Sequence, residues 1–152
     1  MKEFDYYIFV DFSENLIGYE IIEENKIAEI LPKISRLRHY KEVENRKLYL
    51  KNVNMTFKNE NIKSFFLKFG IKKLYKNAEI YADILDFIKK HDNCIIFISI
   101  DNRQFKAFTK LVGIVDGKRV VVKKESELAK GTPEYQLSLI LDNLLNIERL
   151  RK

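Results

Sequence analysis

Tyr6-Tyr7-Ile8-Phe9-Val10-Asp11-Phe12-Ser13-Glu14-Asn15-Leu16-Ile17-Gly18-Tyr19-Glu20-Ile21-Ile22-Glu23 decides how this chain folds. Residues 4–12 are β-branched and aromatic with no polar face, the pattern of a strand covered on both sides. Asp11, Ser13, Glu14 and Asn15 interrupt the apolar run, and a second strand follows over 16–23. So short a connection makes the pair an antiparallel hairpin.

Outward from the hairpin, the clearest later strand is 94–100, Cys94-Ile95-Ile96-Phe97-Ile98-Ser99-Ile100. Lys47-Leu48-Tyr49-Leu50-Lys51-Asn52-Val53 predicts a third strand. From Asn59 the period turns helical, with Ile62, Phe65, Phe66 and Phe69 on one stripe that Gly70 closes. A second helix is expected over 76–91 and another from Asp101 through Val112. Asp116-Gly117 signals a turn before the strand Val120-Val121-Val122. Thr132-Pro133-Glu134 combines an N-cap, a proline at the first helical position and an acid near the helix's positive end, so a final helix runs over 133–149. Residues 24–44 are indeterminate: Ile27, Ile30, Leu31 and Ile34 fit a helix that Pro32 interrupts. The order predicts one α/β domain over 1–152, with a mixed sheet in which an antiparallel meander precedes helix-linked strands, flanked by helices.

A chain of 152 residues that is 46% hydrophobic and 33% charged can bury a core without staples. Two prolines and five glycines argue against long structureless linkers. The net charge of +6 suits nucleic acid or another anionic partner, or simply a solvated surface. Cys94 is the single cysteine and excludes an intrachain disulfide. Without a signal-peptide pattern or a stretch near the roughly 20 apolar residues of a spanning helix, a cytoplasmic address and no membrane partner are expected.

Three aspartates stand where apolar runs end or inside an apolar helix. Asp11 ends the first strand, Asp101 follows the run 94–100, and Asp142 lies within Leu137–Leu145. Carboxylates so placed can converge on a divalent cation. This layout resembles the ribonuclease H-like superfamily. There a strand-one aspartate is followed by a meander, an acid after the fourth strand and a third acid on a late helix. Phe9-Val10-Asp11-Phe12-Ser13, Ile98-Ser99-Ile100-Asp101-Asn102 and Gln136-Leu137-Ser138-Leu139-Ile140-Leu141-Asp142 carry the likeness. It is nearest to prokaryotic, including archaeal, branches with an Asp-x-Ser opening and a Gln-Leu-Ala-Asp ending. Here Gln136 precedes Asp142 by six residues, a longer spacing than that ending has. The resemblance implies a Mg²⁺- or Mn²⁺-dependent nuclease with Asp11, Asp101 and Asp142 as ligands. It also implies a fourth ligand on the helix before strand four, where Glu79 and Asp83 are the candidates.

Each acid also has a plain reading. Asp101 and Gln104 have capping-box spacing. Asp11 fits a strand end bonding its own turn. Asp142 shares a polar stripe with Ser138, Asn146 and Arg149, opposite the apolar Leu137, Ile140, Leu144 and Ile147. Among the bases, Arg36, Arg38 and Lys41 form the denser patch for phosphate contact. Lys58, Lys63, Lys68, Lys72, Lys73 and Lys76 are interleaved with aromatics whose helical spacing reads as core, leaving the lysines as a solvated face. No zinc pattern or glycine-rich phosphate loop is present. Two functions follow: a metal-dependent nuclease on DNA or RNA, or a non-catalytic domain of the same fold that binds nucleic acid or a protein partner, as a homodimer in one form.

Overall fold

The structure is a computed structural model that describes residues 3–115 and 119–151. Its strands are β1 (Tyr6–Ser13), β2 (Leu16–Glu23), β3 (Phe66–Lys73), β4 (Cys94–Ile98) and β5 (Val120–Lys124), in one sheet of order β3-β2-β1-β4-β5. β1, β2 and β3 form an antiparallel meander, while β4 and β5 run parallel to β1. The helices are α1 (Glu24–Ile30), α2 (Arg46–Asn59), α3 (Asn77–Lys90), α4 (Asn102–Val115) and α5 (Pro133–Leu150).

Alternation along the strands divides the core into two layers. Tyr7 and Phe9, Leu16 and Ile22, and Ile95 and Phe97 face α1, α2 and α5. Ile8, Val10, Ile17, Tyr19, Ile21, Ile96 and Ile98 face α3 and α4. Covering both sides is what makes the central strands apolar throughout. Each fully buried isoleucine contributes roughly 1.5–3 kcal/mol, so a charge on either face of β1 would be strongly disfavoured unless solvated or paired. Among the described residues no helix is long and apolar enough to cross a membrane.

Two expectations are corrected. Residues 47–53 are not a strand; they belong to α2, where Leu50, Val53 and Phe57 are buried at helical spacing and the Asn45 side chain accepts from Leu48 N. The alternation of leucines with lysines over 47–51 mimics a strand, but Leu48 is exposed. Residues 66–73 are not a helix; they are the edge strand β3, whose Lys68, Lys72 and Lys73 discourage pairing with another chain. The Asp116-Gly117 turn lies outside the described residues. Elsewhere the expected helices and strands form, and the Thr132 hydroxyl caps α5 by accepting from Tyr135 N at 3.2 Å.

Two glycines permit close packing around β2. A Cβ on Gly18 would meet Leu141 Cδ1 at 3.0 Å and Leu145 Cδ2 at 3.1 Å, so glycine is what lets α5 sit against the sheet. A Cβ on Gly70 would meet the Tyr19 ring at 3.0 Å, on the opposite face. Gly70 therefore accommodates an aromatic ring rather than ending a helix.

Candidate functional site

The last paired rung across the parallel strands is Val10–Ile98–Lys124. One residue further, β1 presents Asp11, the chain leaving β4 presents Ser99, and the chain leaving β5 presents Glu125. Ser99 N still donates to Val10 O at 3.1 Å, which holds this row in register. Two interstrand spacings, roughly 10 Å, separate the Asp11 and Glu125 backbones, and the Ser99 hydroxyl in the row between them eases the ionisation of both carboxyls. Asp11 lies on the face of β1 that α5 covers, and α5 brings Asp142 to the same place. The carboxyl ends of parallel strands are where open α/β sheets place ligands.

Burial dominates the electrostatics. It pushes the Asp11 carboxyl up to about 7; the Phe12 amide and Ser99 pull it down, and the Asp142 charge pushes it up. Burial likewise raises Glu125 to about 8, reinforced by the charges of Asp11 and Asp142. Asp142, 6% exposed, is raised by burial and steadied by the Tyr40 amide, His39 and Lys41. Behind them on β2 lies Glu20, fully buried with neither carboxyl oxygen hydrogen-bonded. Burial holds it well above the carboxylate range, and Asp11 and Glu125 add to the effect. Four acids thus crowd one region and oppose one another's ionisation.

The segment before α2 closes over this group. Tyr40 N donates to Asp142 Oδ2 at 2.8 Å, and His39 Nε2 stands 3.6 Å from Asp142 Oδ1. Lys41 is exposed, yet its charge acts on Asp11, Glu125 and Asp142 alike. α5 binds the same segment through two amides: Gln136 donates to Ile34 O and Leu37 O, and Asn143 to Arg38 O. The polar stripe of α5 is therefore buried, contrary to the solvated reading of Asp142; Ser138, Asn143 and Asn146 are buried with it.

The other candidates are placed elsewhere. β4 ends at Ile98, so Ser99 takes the position beside Asp11, and Asp101 lies two residues beyond it. Asp101 is exposed and caps α4, its Oδ1 accepting from Gln104 N at 2.8 Å. Glu79 and Asp83 ride on α3, across the sheet from Asp11. Glu79 pairs with Lys72 at 3.2 Å, and Asp83 accepts from the Tyr19 hydroxyl at 3.1 Å. Arg36 and Arg38 are exposed, and the Arg38 guanidinium lies 5.9 Å from the Tyr49 ring centroid. Of the three bases, Lys41 is the one whose charge reaches the acids. Sequence reasoning missed Glu125, although it obeys the rule that selects Asp11, an acid at the exit of a buried strand.

An oxygen-only donor set of mutually repelling carboxyls suits a hard divalent cation. Among the described residues, however, no three His, Cys, Asp or Glu side chains are arranged to hold a metal ion as they stand. Both Asp142 oxygens are turned to His39 and the Tyr40 amide, so chelation requires that carboxylate to change partners.

No family model matches the chain, and no curated protein matches it. Among solved structures, ribonuclease H2 from Pyrococcus horikoshii OT3 matches with a TM-score of 0.57 at 11% identity, over 95% of this chain and 72% of that one. The PCNA:RNase HII complex from Archaeoglobus fulgidus matches with a TM-score of 0.49 at 11% identity, over 94% of this chain and 72% of that chain. The first likeness and the strand order 3-2-1-4-5 show that the chain has a ribonuclease H-like fold.

Proposed function

We propose that the protein is a divalent-metal-dependent nuclease, with Asp11, Glu125 and Asp142 as the carboxylates that hold Mg²⁺ or Mn²⁺. The observation that carries this reading is the convergence of Asp142 with the row Asp11–Ser99–Glu125 at the carboxyl ends of three parallel strands. Glu20 supports it, because a buried acid with two unpartnered oxygens beside that row is explained better by a cation than by packing. When bound, the ion supplies a water of lowered pKa and charge stabilisation at the phosphodiester. The chain's own part is positional: the Ser99 hydroxyl favours the ionised forms of Asp11 and Glu125 on either side of it, and Lys41 offers a positive charge to a phosphate oxygen. Asp101 stays outside this set as the cap of α4.

A second reading rests on the bonds of Asp142. Its engagement with Tyr40 and His39 fits a non-catalytic domain of the same fold, in which this carboxylate only fastens the segment before α2.

Calorimetric titration with Mn²⁺ at pH 8, paired with cleavage of fluorescent RNA and DNA oligonucleotides, separates the two. The nuclease reading expects Mn²⁺ binding and cleavage in the wild type, and at least about a 100-fold loss of cleavage in Asp142→Asn, the scale of removing one preorganised electrostatic group. Absence of Mn²⁺ binding at millimolar concentration refutes it and leaves the non-catalytic reading.

A further inference from the structure

Two cavities adjoin along the side of α5 that faces α2 and β3. One, of 720 Å³, is lined by Lys58, Lys63, Lys72, Lys73, Arg149 and Arg151. The other, of 650 Å³, adds Arg46, Lys47 and Lys51 and shares Asn54, Ile147 and Arg151 with the first. Among the described residues Glu148 is the one acid lining either cavity. Nine of the chain's 28 lysines and arginines thus meet one of its 22 acids, and the rest of the molecule is left slightly acidic. The groove lining alone thus carries a formal charge of +8, more than the +6 of the whole chain.

The cations are mostly unspent. Lys72 pairs with Glu79, Arg149 with Glu14 at 3.7 Å and Arg151 with Glu148 at 3.5 Å. The other six have no carboxylate within ion-pair distance among the described residues. Holding so many like charges together is unfavourable unless a polyanion accompanies them. The groove also has a direction. At one end the Tyr40 ring lies 5.1 Å from the Arg46 guanidinium and 5.7 Å from that of Arg149. The amide of the same tyrosine donates to Asp142. Arg149 donates to Ser13 Oγ and Asn146 Oδ1, and Asn146 donates to the Asp142 carbonyl. The groove therefore ends at the acid row.

We infer that this groove binds the phosphodiester backbone of a nucleic-acid strand and delivers it past Tyr40 to the acid row. α2 has 14 residues, a length of about 21 Å, which spans about six nucleotide steps at a rise of about 3.4 Å. A concave track of spaced point charges fits a chain of phosphates better than a flat anionic surface. The inference rests on the acid-row reading for where the strand leads, while binding itself needs no metal.

The test is fluorescence anisotropy of the full chain in EDTA with labelled 20-mers of RNA and DNA, single-stranded and duplex, across a salt series. The triple variant Lys51→Gln, Lys58→Gln, Lys73→Gln removes three groove charges. Lys89→Gln, Lys106→Gln, Lys110→Gln removes three exposed charges on α3 and α4 across the sheet. At about 0.7 log units per phosphate contact, the groove variant loses about 100-fold in affinity near 0.1 M salt, and its salt slope falls by about 2. The control triple changes affinity by less than about twofold. Asp142→Asn retains binding, so undiminished cleavage by that variant with intact binding overturns the acid-row reading alone. Equal losses in both triples, no binding by the wild type, or tighter binding of inorganic polyphosphate than of any oligonucleotide overturns the groove assignment.

Discussion

Replacing Glu20 by methionine is expected to stabilise the protein, by an amount that grows with pH. Glu20 is fully buried with both carboxyl oxygens unsatisfied, between Phe9 on β1 and Phe69 on β3 in the ladder. Leaving such a group without a partner costs roughly 1–3 kcal/mol even in its neutral form. Methionine has a similar length and no polar atoms, so that penalty disappears with little repacking. The pH dependence follows from the proton. The folded carboxyl titrates well above its ordinary value of 4.5, so above that pH the native state keeps a proton that the unfolded chain releases. Native stability then falls by about 1.4 kcal/mol for each pH unit until the buried acid ionises. Wild type and Glu20→Met should differ by about 1–3 kcal/mol near pH 4.5, and the gap should widen at that slope. Urea unfolding in EDTA at pH 4.5, 5.5 and 6.5, with unchanged m-values, reads both quantities. A gap that stays constant with pH, or a variant less stable than wild type, would falsify the picture of Glu20 as an unpartnered protonated acid.

The metal-free wild type should itself lose stability as pH rises from about 5 to 8. Asp11 and Glu125 titrate near 7 and 8 in the fold but near 4 when unfolded, so the native state holds extra protons across that window. Calorimetric Tm values at pH 5, 6.5 and 8 should fall in that order, and a rise would contradict the raised pKa values. Asp101→Ala should cost about 1 kcal/mol through the lost α4 cap while leaving Mn²⁺ binding intact; loss of Mn²⁺ binding in a folded variant would return Asp101 to the ligand set. Gly18→Ala should destabilise by about 1–3 kcal/mol, because its methyl group would press on Leu141 and Leu145. Unchanged urea midpoints would show that α5 can shift freely.

What the sequence makes legible is governed by how local each signal is. β1, β2 and β4 are apolar on both faces, and α5 carries its Thr132-Pro133 start, so local chemistry suffices for them. α2 and β3 are exchanged in the sequence reading because α2 buries a narrow stripe while β3 is an edge strand with half-buried aromatics. Their identities are fixed by what packs on them: α5 against α2, whose Val53 and Phe57 share its core layer, and the Tyr19 ring against Gly70. The acid site shows the same division. Asp11 marks itself by ending a buried strand, but choosing between Ser99 and Asp101 requires the β1–β4 register. That α3 covers the far face of the sheet, which places Glu79 and Asp83 away from Asp11, is equally invisible until the layers are known.

Gly18 and Gly70 have a further consequence for how the meander assembles. Strand alternation forbids a one-residue slip between β2 and β3, because every side chain would change face. It does not forbid a slip of two, which preserves sidedness. The observed register sets Tyr19 opposite Gly70 and Gly18 opposite Ile71. A two-residue slip would set the Tyr19 ring against Lys68 or Lys72, with no hollow to receive it. Two missing methyl groups, one on each side of the sheet, thus act as a key and its slot, admitting one alignment among those that hydrophobicity alone would accept.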